Sequence, residues 1–80
     1  SALGLEDEIE KNISYLSEHK HKKLSISVHP ILYAYLTSGF ISIRRKWAWK
    51  YKVSISLSQN NNYHLTEFHL FDNNMEEIRL

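Results

Sequence analysis

"RRKWAWKYK", residues 44–52, sets five cations among three aromatic side chains. Whether it is a helix or the start of a long strand decides how the whole chain folds. Read with period two and continued to Ser58, it puts Trp47, Trp49, Tyr51, Val53, Ile55 and Leu57 on one face. Lys46, Ala48, Lys50, Lys52, Ser54, Ser56 and Ser58 then fall on the other. Read with period 3.6 from Ser42, the same residues give a stripe of Ile43, Trp47 and Tyr51, with Arg45, Lys46 and Trp49 turned away. A strand over residues 44–58 would exceed the usual 3 to 10 residues, and Arg, Lys, Ala and Trp all tolerate a helix. The stretch therefore divides into a helix from Ser42 to about Lys50 and a strand from about Tyr51 to Ser58.

The rest of the order follows outward from that division. Upstream, Leu5, Ile9, Ile13 and Leu16 recur at spacings of four, four and three, the stripe of an amphipathic helix from Leu5 to about His19. Glu6, Asp7, Glu8 and Glu10 are expected in its first turn and Lys20, Lys22 and Lys23 at its end, each suiting the helix dipole. "LSISVHP" alternates Leu24, Ile26 and Val28 with Ser25, Ser27 and His29, as a half-buried strand does. Pro30 opens a second helix carrying Ile31, Leu32, Tyr35 and Leu36, and Gly39 stops it.

Downstream, "QNNN" is a turn joining the strand that ends at Ser58 to another from Tyr63 to Phe71, and the two read as a hairpin. "DNN" is a second such turn, after which Ile78 and Leu80 add a short final strand. The fold class is α+β, in the order α-β-α-α-β-β with a last short β, a small sheet packed against helices on one face. The core is expected to hold Ile9, Ile13, Leu24, Ile26, Val28, Leu32, Leu36, Trp47, Val53 and Ile55.

Eighty residues, 42% of them apolar, make one domain near the size at which a single core is barely sufficient. Without Cys there is neither a disulfide nor a thiolate metal site, so stability must come from packing, to which self-association can add, and a cytoplasmic setting is expected. No run reaches the roughly 18 to 20 apolar residues that span a bilayer, so no membrane partner is expected. The opening "SALGLEDE" lacks Met, and Ser1 and Ala2 read as a tag remnant ahead of a fragment of a longer protein.

Candidate chemistry is sparse. Gly4 and Gly39 are the only glycines and neither lies in a phosphate-loop frame. The five His are too dispersed to propose a metal site, and neither a nucleophile with a base nor a metal-holding carboxylate pair is legible. No small-molecule substrate, cofactor or catalytic residue is therefore expected in this chain. What remains is the basic segment, in which Arg44, Arg45, Lys46, Trp49, Lys50 and Lys52 are the candidates for contact with RNA or with a protein interface. Lys and Arg neutralise phosphates and an exposed Trp stacks on an unpaired base. Trp and Arg are equally the residues enriched at protein interfaces, so both readings stay open.

Taken together, "HKKLSISVHPILYAYLTSGFISIRRKWAWKYKVSISL" and "YHLTEFHLFDNNMEEIRL" resemble the C-terminal end of ribonuclease E/G family proteins, in the form found in Bacteroidetes-like bacteria. The carrying features are the strand into "VHP", the helix with "YAYLTSGF", the basic "SIRRKWAWKYK" and the closing "FHLFDNNMEEIRL". The resemblance implies a parent endoribonuclease that cuts single-stranded RNA in RNA processing and decay. Its Mg²⁺ is held by carboxylates in an earlier domain, and a Cys-containing zinc link precedes a small C-terminal domain that helps assemble a homo-oligomer. Neither the metal carboxylates nor the zinc-link cysteines are among these residues, so only the small-domain role carries over. A second likeness is to KH RNA-binding modules, whose two helices are joined by a GxxG loop that clamps the backbone. Here that loop reads "SGFIS", with Gly39 and no second glycine.

Overall fold

The computed structural model describes residues 2–80. Residues 44–51 are helical and Lys52 caps the helix. The elements run α1 (Ala2–Glu18), β1 (Lys23–Val28), α2 (Pro30–Thr37), α3 (Ile43–Tyr51), β2 (Ser54–Gln59), β3 (Phe68–Phe71) and β4 (Glu77–Ile78). This is the α+β order read from the sequence. None of the described helices is long and apolar enough to cross a membrane.

Local chemistry fixes both ends of α3. Ser42 sits in extended backbone and its Oγ accepts the Arg45 N–H at 3.2 Å, satisfying one of the donors that a helix start leaves unpaired. At the other end Lys52 takes the left-handed conformation, φ 56°, and the Val53 N–H turns back to the Ala48 carbonyl at 3.2 Å. A residue with a Cβ pays about 1–2 kcal/mol for that geometry. Lys20, φ 72°, makes the same reversal between α1 and β1. Each of the two parallel strands is thus entered through a left-handed lysine.

α2 starts on a histidine. His29 Nδ1 accepts the Ile31 N–H at 3.0 Å, and Pro30, which has no N–H to orphan, fills the first helical position. The helix ends at Thr37, and Gly39 at φ +82° turns the chain towards α3, a conformation that glycine adopts without a steric penalty.

The sheet order is β2-β1-β3-β4. β1 lies parallel to β2, with Leu24 opposite Ile55 and Ile26 opposite Leu57, and antiparallel to β3, with Ile26 opposite Leu70 and Val28 opposite Phe68. The β2–β3 hairpin read from "QNNN" is therefore corrected: the two strands are separated by β1. The α2–α3 connection returns β2 parallel to β1, while β3 takes β1's other edge. Buried at Leu24, Ile26 and Val28, β1 is the strand whose pattern best suits a central position.

The third strand is also shorter than the Tyr63 to Phe71 expected. Glu67 Oε1 accepts the His64 N–H at 3.0 Å and the Glu67 N–H goes to the His64 carbonyl at 3.0 Å. A side chain thus takes a backbone donor that a ladder would have used. The second turn does make a hairpin, β3 to β4, closed by Asp72 Oδ1 accepting the N–H groups of Asn74 and Glu76 at 2.8 and 3.0 Å.

All ten expected core residues are buried, joined by Leu5, Leu16 and Leu70 in one cluster. The alternation of the strands puts this cluster, with the three helices, on one face of the sheet. The other face presents Ser25, Ser27, Ser54, Ser56 and Ser58. α1 starts earlier than its periodicity suggested, so the acidic residues lie past its first turn, and no cation lies in its last. Their role is lateral instead. Glu6 Oε1 accepts the Tyr35 hydroxyl of α2 at 2.9 Å, and Glu10 Oε2 accepts the Tyr51 hydroxyl at 2.6 Å and Lys50 Nζ at 2.9 Å from α3.

Candidate nucleic-acid interface

The outer side of α3 carries the site. Residues four and three apart share a helix face, so Arg45, Trp49 and Lys52 form one stripe with Lys46 beside it. Trp47 points the opposite way and is 3% exposed, against 64% for Trp49. This is the division that the helical period predicts: one indole in the core and the other standing among cations.

Two of the six candidate residues are engaged elsewhere. Arg44 is half-buried and its Nη1 donates to the Ile55 carbonyl at 3.2 Å. The Ser54 N–H bonds back to β1 at the Lys22 carbonyl, so by alternation Ile55 turns its backbone to the outer edge of β2, where Arg44 covers it. Lys50 is held at 2.9 Å by Glu10, with its Nζ 5.3 Å from the Tyr51 ring centre. Arg45, Lys46, Trp49 and Lys52 remain as the exposed set.

Glu10 gathers several donors at once. The hydrogen bond from Tyr51 and then that from Lys50, with a further one from the Trp47 indole, hold its carboxyl below the usual carboxylate range despite partial burial. The same contact raises the Lys50 ammonium above its ordinary value. Tyr51 is pushed up first by burial and then by donating to Glu10. The α1 carboxylate thereby neutralises one cation of the basic segment within the chain.

Sequence reasoning missed one part of this surface. Phe40 and Ile41, in the loop before α3, are 89% and 56% exposed beside the stripe, and the Arg45 guanidinium lies 5.8 Å from the Phe40 ring centre. The lysines around the start of β1 are a separate group: Lys20, Lys22 and Lys23 line a hollow with Asp72, and Lys23 lies opposite Ser54 on the sheet face away from the helices. A signal for the basic surface was present. From His19 to Thr66 the chain contains eight Lys and Arg and no Asp or Glu. Such a stretch concentrates positive charge in the middle of the chain, where Glu10 of α1 meets it at Lys50.

The histidines are occupied in other ways. His29 caps α2, and His19 stacks on Tyr15 with ring centres 4.0 Å apart. Among the described residues no group of three His, Cys, Asp or Glu is placed to hold a metal ion. His69, on β3, lies between two carboxylates, with Nε2 2.8 Å from Glu67 and Nδ1 2.7 Å from Glu77 of β4. The hydrogen bond to Glu67, then that to Glu77, raises its pKa above 6.5, and His69 in turn lowers both glutamates.

A raised folded-state pKa gives stability that is complete below the unfolded value and disappears as pH rises through the folded one. Urea midpoints are therefore expected to fall from pH 6 to pH 8.5, and His69→Gln is expected to flatten that decline. An equal decline in the variant would place its origin elsewhere.

Comparison of the chain with protein-family models, with curated proteins and with solved structures finds no match. What the surface can do follows from its residues alone: three exposed cations around an exposed indole attract a polyanion and offer a flat ring to an unpaired base.

Proposed function

We propose that this chain is the C-terminal small domain of a ribonuclease E/G-like endoribonuclease of the cytoplasm, not catalytic alone, which contacts single-stranded RNA and contributes to subunit assembly. The parent's Mg²⁺ and zinc would lie outside these residues. The observation that carries the RNA reading is Trp49, exposed on the outer side of α3 among Arg45, Lys46 and Lys52, while Glu6 and Glu10 are turned to α2 and α3. Single-stranded RNA fits because its bases are free to stack, whereas those of a duplex are already stacked on one another.

A KH-like RNA-binding module is the second reading. It is favoured by the β1-α2-α3-β2 unit, whose strands are parallel neighbours and whose two helices are joined through Gly39 at φ +82°. The "SGFIS" loop has one glycine of the clamp, so the side chains of α3 would have to supply the backbone contacts. The protein-interface reading rests on the same exposed indole.

One titration separates them. Binding of a labelled single-stranded RNA is expected to weaken with salt by about 0.7 log units per phosphate contacted, per log unit of salt. Trp49→Ala is expected to lower the affinity about 5- to 150-fold, the equivalent of losing one stacked base at about 1–3 kcal/mol, without changing oligomer size. If it instead shifts sedimentation towards monomer and leaves RNA binding intact, the face belongs to a protein interface. With Mg²⁺ the chain is expected to leave the RNA uncut; specific cleavage would refute the noncatalytic role. An upstream nuclease domain in the reading frame would favour the ribonuclease parent over the KH-like module.

A further inference from the structure

We infer that Phe40 is a second base-stacking platform, which makes the surface a reader of two successive unpaired nucleotides with Arg45 at the phosphate between them. This rests on the RNA reading and adds to it a residue outside the basic helix. Among the described residues Phe40 is the most exposed of the large apolar side chains, at 89%, where thirteen others are buried in the core. A phenyl ring so placed contributes almost nothing to packing, and its neighbour Ile41 is more than half exposed as well.

The loop brings the ring to the cations. Gly39 at φ +82° reverses the chain, with no atom within 4 Å of the place a Cβ would occupy, and Phe40 then projects beside the start of α3. Arg45 stands between the two aromatic residues. Its guanidinium is 5.8 Å from the Phe40 ring centre, and Trp49 follows it by one helical turn on the same face, about 5–6 Å away at Cβ. Lys46 and Lys52 flank this line, and a hollow of about 410 Å³ lined by Tyr33, Thr37, Arg44 and Arg45 opens next to Phe40. Two flat apolar rings separated by a guanidinium match the alternation of base and phosphate along a single strand.

Charge decides the occupant. The apolar patch adjoins three exposed cations, Arg45, Lys46 and Lys52, within a run of residues that has no carboxylate from His19 to Thr66. A partner that brings apolar faces and a repeating negative charge together is a single-stranded nucleic acid. A duplex offers the charge and withholds the faces.

The test compares a fluorescein-labelled single-stranded oligouridine RNA with a blunt RNA duplex of equal length by anisotropy, using the whole chain and its Phe40 variants. Phe40→Ala and Phe40→Leu are expected to weaken single-strand binding about 5- to 150-fold while duplex binding stays within twofold, and Phe40→Tyr is expected to keep the original affinity. The thermal midpoints of all three should match that of the unsubstituted chain, because the ring is outside the core. If Phe40→Ala and Phe40→Leu bind the single strand as the unsubstituted chain does while Trp49→Ala weakens it, the RNA reading stands and the second platform is refuted. If the unsubstituted chain binds neither RNA, both fail. A shift towards monomer in Phe40→Ala with RNA binding unchanged would assign the patch to a protein partner and overturn the inference.

Discussion

Trp47→Ala is expected to remove a large part of the domain's stability. The indole is 3% exposed and packed in the core cluster. Replacing a buried Trp by Ala removes its transfer free energy and leaves a cavity that neighbours only partly fill, a loss of about 3–5 kcal/mol. A domain of this size has a total stability of roughly 4–12 kcal/mol, so the loss runs from about a quarter of it to the whole. Calorimetry should show a fall in melting temperature on the order of 12–40 °C. Trp49→Ala, two residues away on the solvent side, should leave the melting temperature within a few degrees. If the two variants exchange behaviours, the faces of α3 are reversed.

Glu10→Ala is the second large effect, and it reaches stability through the junction of α1 with α3. Its carboxylate accepts from Tyr51 and Lys50, and removing it leaves those donors without their partner. Hydrogen bonds to a charged group contribute about 1.5–3 kcal/mol, and the half-buried Tyr51 hydroxyl loses most, since Lys50 remains largely in water. A total of about 2–3 kcal/mol is expected from urea denaturation. Glu10→Gln, which keeps an acceptor without the charge, should cost less. The depressed carboxyl also sets an acid limit: its stabilisation is complete above the ordinary value of about 4.5 and is lost as pH falls through the lower folded value. With His69 acting in the opposite sense above pH 6.5, stability should be greatest between the two limits, and Glu10→Ala should flatten the acid side alone. An unchanged acid limb would remove Glu10 from the account.

The helix within residues 44–58 was legible because the 3.6 period separates Trp47 from Trp49 and Ser42 is a suitable cap. Core membership was legible for the same reason: each strand's alternation names its buried side. Neighbourhood was not. The alternation of β2 says that one face is buried and nothing about which strand lies beside it, so a short polar link suggested a hairpin where β1 intervenes. Two side chains also acted beyond any local pattern. Glu67 took the His64 N–H and shortened β3, and Glu10 met Lys50 across 40 residues, which only the packing of α1 on α3 brings about. Of the candidate site, the exposed indole and three of its cations could be read from periodicity, whereas Phe40 depended on the course of a loop.

The central place of β1 has a consequence for how the chain acquires its fold. Ile26 finds its partners 31 and 44 residues further along, at Leu57 and Leu70, and only β3 and β4 pair as close neighbours in sequence. Closing such long loops costs entropy before any ladder bond returns it, which slows folding relative to a helical bundle of equal length. During synthesis β1 leaves the ribosome with both edges open and Leu24, Ile26 and Val28 uncovered. Within this domain α1 precedes β1 in the chain, so its Leu5, Ile9, Ile13 and Leu16 stripe is the part of the core made before Leu24, Ile26 and Val28.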